Sequence, residues 1–183
     1  MKTSSRFVVA AAFALCLGPA AALASGSNSQ TLSVSATASS NCTALSPAAI
    51  AFGSYDPFNY PSGTPLQDTT AATFSTNCTN GAPINWTVGI GGNCGKGSVA
   101  ADRAMTDGAS HYLSYELYQN SGDTTAWAYG ASCGSPTAVN QTGGGKNTPN
   151  TISIYGEIPG GQDVYTGAST TSYTDSVTVT VNY

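Results

Sequence analysis

Apolar and polar residues alternate along several short stretches of the chain, and the two clearest stretches lie close to its two ends. Near the N-terminus the apolar positions are Leu32, Val34, Ala36 and Ala38. Near the C-terminus they are Val177, Val179, Val181 and Tyr183. Because successive side chains of a strand point to opposite faces, this period of two predicts a strand with one apolar face at each end.

Between these two segments the sequence predicts further short strands and no helix. The predicted strands cover residues 70–77, 84–90, 110–118, 125–129 and 151–158, with a short apolar run at 48–52. Stretches rich in Gly, Pro and Ser predict loops at 55–68, 91–108 and 131–150. Because short strands separated by turn residues are typical of sandwiches and barrels, the expected fold class is all-β.

The last predicted strand, residues 173–183, would lie at the edge of a sheet. An exposed edge strand is a liability unless another strand pairs with it. The N-terminal strand could pair with this edge in the same molecule or in a neighbouring copy. The residues alone leave both arrangements open.

The first residues have the pattern of a secretory signal. Lys2 and Arg6 form a basic start, residues 7–17 are apolar, and Ala22-Leu23-Ala24 fits a cleavage site. A retained membrane anchor is the weaker alternative, because Gly18-Pro19 interrupts the run and about 20 apolar residues are needed to span a bilayer. We therefore expect a mature chain of residues 25–183 that does not span the membrane.

The few charged residues and the negative net charge of the chain limit the kinds of partner that it can bind. Charged residues make up 8% of the sequence, against roughly 25% in an ordinary soluble domain. After loss of the signal, three basic and nine acidic side chains remain, a net charge of −6. Since neutralising phosphates requires clustered Lys and Arg, we expect no nucleic-acid partner.

The cysteine count agrees with export. Cys16 lies in the signal segment, and the four remaining cysteines are Cys42, Cys78, Cys94 and Cys133. An even number in an exported chain predicts disulfide bonds, and three pairings are possible. A zinc site would need closely spaced ligands such as C-x-x-C, which this chain lacks. We therefore expect disulfides and no metal site.

Candidate catalytic residues are few. His111 is the one histidine of the chain, and no G-x-S-x-G motif supplies a nucleophile for it. We therefore expect His111 on a strand surface. Asp102 and Asp107 flank Arg103 in a glycine-rich stretch, which predicts a solvated loop more readily than a carboxylate pair.

The two tryptophans, Trp86 and Trp127, lie in predicted strands. A tryptophan at such a position of a sandwich usually belongs to the core. A sugar-binding platform is the alternative, and it would use Trp127 together with Tyr129.

Eight short segments, taken in order, carry a resemblance to a known family. They are residues 41–43 (NCT), 51–57 (AFGSYDP), 78–79 (CT), 103–108 (RAMTDG), 113–118 (LSYELY), 124–127 (TTAW), 155–162 (YGEIPGGQ) and 173–181 (YTDSVTVTV). With these segments, residues 31–183 resemble the spore coat protein U domain, the subunit domain of archaic chaperone–usher pili. The stretches 58–68 and 131–150 are long for that family.

The resemblance implies an incomplete immunoglobulin-like β-sandwich that lacks its last strand and is completed by a donor strand. In the family, a periplasmic pilus chaperone first fills the groove left by the missing strand. The N-terminal extension of a neighbouring pilin subunit then replaces the chaperone at an outer-membrane usher. The implied divisions are a signal peptide at 1–24, an extension with the donor strand at 25–40 and a pilin domain at 41–183.

The resemblance also implies roles for particular residues. The donor-strand residues would be Leu32, Val34, Ala36 and Ala38. The edge of the acceptor groove would be formed by Val177, Val179 and Val181. The family disulfide would be Cys42–Cys78, with Cys94–Cys133 as an additional pair, and no cofactor is implied.

The leading hypothesis is therefore a non-enzymatic structural subunit of a surface pilus with a role in adhesion or biofilm formation. Such a subunit would be exported through the periplasm. The alternatives are a secreted spore or cell coat protein of the same fold and a monomeric carbohydrate-binding module. A small secreted hydrolase is a further alternative, against which the single histidine argues.

Overall fold

The computed structural model describes residues 26–99, 103–127, 136–168 and 170–183. Within these ranges the chain forms strands and contains no helix, and hence no helix that could cross a membrane. The strands are β1 (Leu66–Gln67), β2 (Ala72–Thr76), β3 (Pro83–Val88), β4 (Arg103–Thr106), β5 (Tyr112–Tyr118), β6 (Ala138–Thr142), β7 (Asn150–Ile158) and β8 (Val179–Asn182). The all-β prediction is confirmed.

These strands form two antiparallel sheets. One sheet has the order β1-β7-β5-β4, with β2 also paired to β7, and the other has the order β6-β3-β8. The neighbours β2-β7-β5 and β3-β8 correspond to the B-E-D and C-F strands of an immunoglobulin sandwich. In that fold a further strand, G, lies beside F. No strand of the described residues occupies this position next to β8.

The core is built by the inward-facing positions of both sheets. Its buried members include Ile84, Trp86, Val88, Leu113, Tyr115, Leu117, Trp127, Ile152, Ile154 and Ile158. Trp86 has no exposed surface, and its indole Nε1 donates to Oε1 of Gln141 at 3.2 Å. Burial of this apolar surface is the main force that holds the two sheets together.

Three strands lie where the sequence predicts loops. β1 falls within residues 55–68, β4 within 91–108 and β6 within 131–150. The predictions were wrong there because these strands are short and lack a clear apolar alternation. Conversely, the run at 48–52 contributes a single bridge, from Ala51 to Thr70. Of the predicted strand at 125–129, residues 125–127 are described, and they contribute a bridge from Ala126 to Tyr118.

The chain divides into two units, Met1–Thr37 and Ala38–Tyr183. The described residues of the first unit, 26–37, contain no strand. Leu32 and Val34 in this unit are 84% and 86% exposed. The predicted signal peptide lies outside the described residues.

A buried glutamine closes one end of the β5–β7 pairing. The register that pairs Glu116 with Glu157 would place Ser114 opposite Pro159, which has no N–H to donate. The side chain of Gln162 takes over this role. Its Oε1 accepts from the Ser114 backbone N–H at 2.7 Å, and its Nε2 donates to the Ser114 carbonyl at 2.9 Å.

Replacing this glutamine by leucine should destabilise the fold. Gln162→Leu leaves both backbone groups of Ser114 without these partners, and we expect a loss of about 2–3 kcal/mol in the free energy of unfolding. Urea unfolding followed by tryptophan fluorescence measures the change. Gln67→Leu is the control, since Gln67 is exposed. Equal stability of the two variants would contradict the bridging role of Gln162.

Candidate binding groove

An apolar groove opens between the two sheets beside β8. Its cavity has a volume of about 410 Å³. Core residues of both sheets form its floor, namely Ala72, Phe74, Val88, Tyr115, Leu117 and Ile154. The groove therefore exposes part of the hydrophobic core.

The first rim of the groove is the segment from Tyr173 to Val179. Its odd-numbered side chains are half-buried and its even-numbered ones are exposed. Val177, Val179 and Val181 share the inward face and pack against the core. The three predicted groove-edge residues thus share one face, and of the three only Val177 and Val179 line the groove cavity.

This rim changes partner along its length. Thr174 exchanges two backbone hydrogen bonds with Thr106, the last residue of β4 in the first sheet. Further on, the segment joins the second sheet, where β8 pairs with β3. Among the described residues no strand pairs with the other edge of β8. Hydrogen-bonding capacity for an additional strand is therefore present along the rim.

The second rim consists of residues 48–52. Ile50 and Phe52 are half-buried and pack against the core. The segment is held by the Ala51 carbonyl, which accepts from both the backbone N–H and the hydroxyl of Thr69. The sequence marks this segment only as a short apolar run, because its place beside the groove depends on the tertiary fold.

The groove continues into a second cavity of about 500 Å³. The residues that line both cavities are Ile50, Phe52, Met105, Tyr173 and Thr174. The second cavity is also lined by Val164 and by Thr170 from the loop that leads to the first rim. The two cavities are therefore neighbours that share part of their lining.

One carboxylate interrupts the apolar lining. Oδ2 of Asp175 accepts a hydrogen bond from the hydroxyl of Tyr115 at 2.7 Å. Burial raises the pKa of the Tyr115 phenol well above its ordinary value, and the hydrogen bond to Asp175 raises it further. The phenol therefore stays protonated and donates to this carboxylate.

A disulfide anchors the chain just before the second rim. Cys42 is bonded to Cys78, and Thr43 and Thr79 donate backbone hydrogen bonds to Asn77 and Asn41 on either side of it. The predicted Cys42–Cys78 pair is confirmed. Cys94 is also disulfide-bonded. Cys133 lies outside the described residues, so the Cys94–Cys133 pairing stays a prediction.

The predicted donor residues are accessible. Leu32, Val34, Ala36 and Ala38 are all exposed, and none belongs to a strand. Their role as a donor strand remains a prediction.

The alternative sugar platform is not formed as expected. Trp127 is 2% exposed, so its ring is enclosed in the core and cannot stack on a sugar. Tyr129 lies outside the described residues. The aromatic platform built on Trp127 is therefore corrected to a core position.

The residues considered for catalysis have structural partners. His111 lies just before β5, with Nδ1 2.6 Å from Oδ2 of Asp107 and its ring stacked on Tyr165. The hydrogen bond with His111 lowers the pKa of the Asp107 carboxyl. Arg103 has no exposed surface, which corrects the prediction of a solvated loop around it. Asp102 lies outside the described residues.

In the part of the chain that the structure covers, no three His, Cys, Asp or Glu side chains are grouped to hold a metal ion.

The fold and the groove define a class of protein: an antiparallel β-sandwich with its core open beside one edge strand. The chain belongs to the Spore Coat Protein U domain family, whose model matches residues 28–180. It is 31% identical over 189 residues to "Protein U" of Myxococcus xanthus, a match that covers 100% of this chain and 98% of that protein.

A solved structure is also similar to the chain. It is the crystal structure of a chaperone–tip adhesion subunit pre-assembly complex (CsuC-CsuE) from archaic chaperone-usher Csu pili of Acinetobacter baumannii. The TM-score is 0.45 and the sequence identity is 18%. The match covers 80% of this chain and 40% of that chain.

Proposed function

We propose that the protein is a structural, non-enzymatic subunit of a surface fibre that polymerises by donor-strand complementation. Residues 31–38 of one subunit would lie in the groove of the next. The observation that carries the proposal is the edge of β8, which no strand of the described residues covers and which borders an apolar groove. Membership of the Spore Coat Protein U domain family supports it.

The N-terminal segment has the chemistry that such a groove requires. A donor strand must present an apolar face to the groove and pair its backbone with the rim. Leu32 and Val34 would each contribute roughly 1.5–3 kcal/mol when buried. The backbone hydrogen bonds would add on the order of 1 kcal/mol apiece. Backbone hydrogen bonds between the strands, together with a few buried apolar side chains, would thus supply most of the binding free energy of the contact.

The geometry of this contact leads to a filament. The donor segment and the acceptor groove are different surfaces, so the contact is head-to-tail and does not close between two subunits. Two joined subunits would still have one free groove and one free donor, at opposite ends, available for further growth. The fibre would have a role in adhesion or biofilm formation.

The same chemistry defines the partners. Before assembly the exposed groove would need a temporary strand, which a periplasmic chaperone would supply by β-augmentation. An outer-membrane usher and neighbouring pilin subunits complete the proposed set. The subunit would be exported through the periplasm after cleavage of a signal at residues 1–24, with the extension at 25–40 and the pilin domain at 41–183.

A coat protein is the second candidate. The family description and the similarity to Protein U of M. xanthus favour a spore or cell coat of the same fold. Electron microscopy distinguishes the two candidates, because thin filaments on intact cells support a pilus and a continuous surface layer supports a coat.

The first experiment is unheated SDS electrophoresis of the chain produced with a cognate periplasmic chaperone, with and without residues 26–38. We expect a ladder of stable multimers from the full chain, since a donor strand paired along its whole length resists detergent until it is heated. The ladder should be absent from the deletion. A single monomer band in both lanes would instead indicate a self-completed fold and contradict the proposed polymerisation.

A further inference from the structure

The inner face of the first rim carries one acidic residue among apolar ones. Tyr173, Asp175, Val177 and Val179 follow one another on this face, and all four line the 410 Å³ cavity. Among the described residues that line this cavity, Asp175 is the only one with a carboxylate or a basic group. Any strand that lies along the rim must pass it.

The carboxylate is fixed in place. Besides the Tyr115 hydroxyl on Oδ2, its Oδ1 accepts the backbone N–H groups of Gly92 at 3.0 Å and Ser176 at 2.8 Å. An ionised carboxylate can accept about four hydrogen bonds, so roughly one more acceptor position remains.

The loop after β3 is shaped around this group. Gly91 has a φ of +84°, and a β carbon there would collide with the carboxylate of Asp175. Only glycine therefore fits both the backbone conformation and the space. The loop after β3 therefore leaves the space that the carboxylate of Asp175 occupies beside the groove.

The N-terminal segment has no charged side chain that Asp175 in the groove would repel. From residue 25 to residue 55 the sequence has no Asp, Glu, Lys or Arg, and all nine acidic residues follow from Asp56 onward. A carboxylate on a strand beside Asp175 would be repelled by it. A serine or threonine hydroxyl could instead donate to the remaining acceptor position.

We propose that Asp175 determines which donor strands the groove accepts. It excludes strands with a carboxylate at the position that faces it, and it admits uncharged strands such as residues 31–38. This inference rests on the proposed function, because it specifies the chemistry of the donor. It adds an electrostatic criterion to the apolar fit.

The test compares charged and neutral donors of the same shape. Synthetic peptides spanning residues 28–40 carry Asp or Asn in place of Leu32, Val34, Ala36 or Ala38. Each is added to the chaperone-bound full chain, either unaltered or with Asp175→Asn, and native electrophoresis measures the rate of chaperone displacement. One of the four substituted positions should face Asp175 in the bound peptide. At that position we expect the Asp peptide to displace the chaperone at least about tenfold more slowly than the Asn peptide on the unaltered chain.

The Asp175→Asn chain should bring the two rates within about threefold of each other, because the repulsion is removed. Ratios that are the same on both chains would overturn the role of Asp175. Failure of the unsubstituted peptide to displace the chaperone would overturn the proposed function instead.

A second comparison needs no change in the acceptor, in case Asp175→Asn impairs folding. At the position identified above, a Lys peptide should react faster than a Gln peptide on the unaltered chain. Equal or slower reaction of the Lys peptide would count against the inference.

Discussion

Val34→Asp should abolish the stable multimers. The change would place a carboxylate among apolar groove residues, and burying an unpaired charge costs several kcal/mol even after relaxation. The lost apolar burial of valine adds roughly 1.5–3 kcal/mol. The subunit itself should still fold, because Val34 is 86% exposed in the free chain.

The neighbouring serine provides the matched control. In an alternating donor strand the side chain of Ser35 points away from the groove, so Ser35→Asp adds the same charge on the solvent side. Unheated SDS electrophoresis should show a normal ladder for Ser35→Asp and none for Val34→Asp. A normal ladder from both variants would refute the assignment of Val34 as a donor residue.

Arg103→Met should cause the largest loss of stability among single substitutions in the sandwich. The buried guanidinium donates from Nε and Nη2 to the Gly89 carbonyl and from Nη2 to the Trp127 carbonyl. It also lies 3.5 Å from Oε2 of Glu116. Without the guanidinium, the two carbonyls lose these hydrogen bonds and the Glu116 carboxylate loses its contact with Arg103. We expect the free energy of unfolding to fall by about 3–5 kcal/mol.

Urea unfolding measures this cost, and Lys146→Met is the control because Lys146 is exposed. The control should change stability by less than about 0.5 kcal/mol. Arg103→Lys keeps the charge but loses the planar fork of donors, so its stability should fall between the two. A fully stable Arg103→Met variant would show that the buried arginine is dispensable.

Strands with apolar alternation could be predicted from the sequence. β5 lies within a predicted segment, and β3 and β7 each begin one residue before theirs, because their inward positions are large and apolar, as with Trp86 and Ile154. The final segment was predicted as one strand, whereas β8 begins only at Val179. The earlier part leaves the second sheet to pair Thr174 with Thr106, a tertiary contact that local alternation does not encode.

β4 and β6 could not be predicted for different reasons. β4 buries Arg103, and a charged side chain at an inward position contradicts the pattern that marks a strand. β6 is an edge strand with Asn140 and Thr142 exposed, so little apolar burial marks it. Pairing with neighbours stabilises both strands, and those neighbours are distant in the sequence.

The groove itself was only partly predictable. Alternation identified Val177, Val179 and Val181, because their apolar face is a local property. The second rim and the carboxylate of Asp175 were missed as site residues, since their role depends on which segments meet across the fold. A polar residue that interrupts an apolar alternation was the one signal in the sequence that could have identified Asp175.

The Cys42–Cys78 bond also has a mechanical consequence. Tension applied to the N-terminal segment reaches Cys42 first and passes directly to Cys78, next to which Thr79 begins the turn into β3. Residues 43–77, which include the second rim, therefore lie outside the covalent load path. A pulling force on the N-terminal segment would therefore not extend the backbone of this loop, which carries the rim at 48–52.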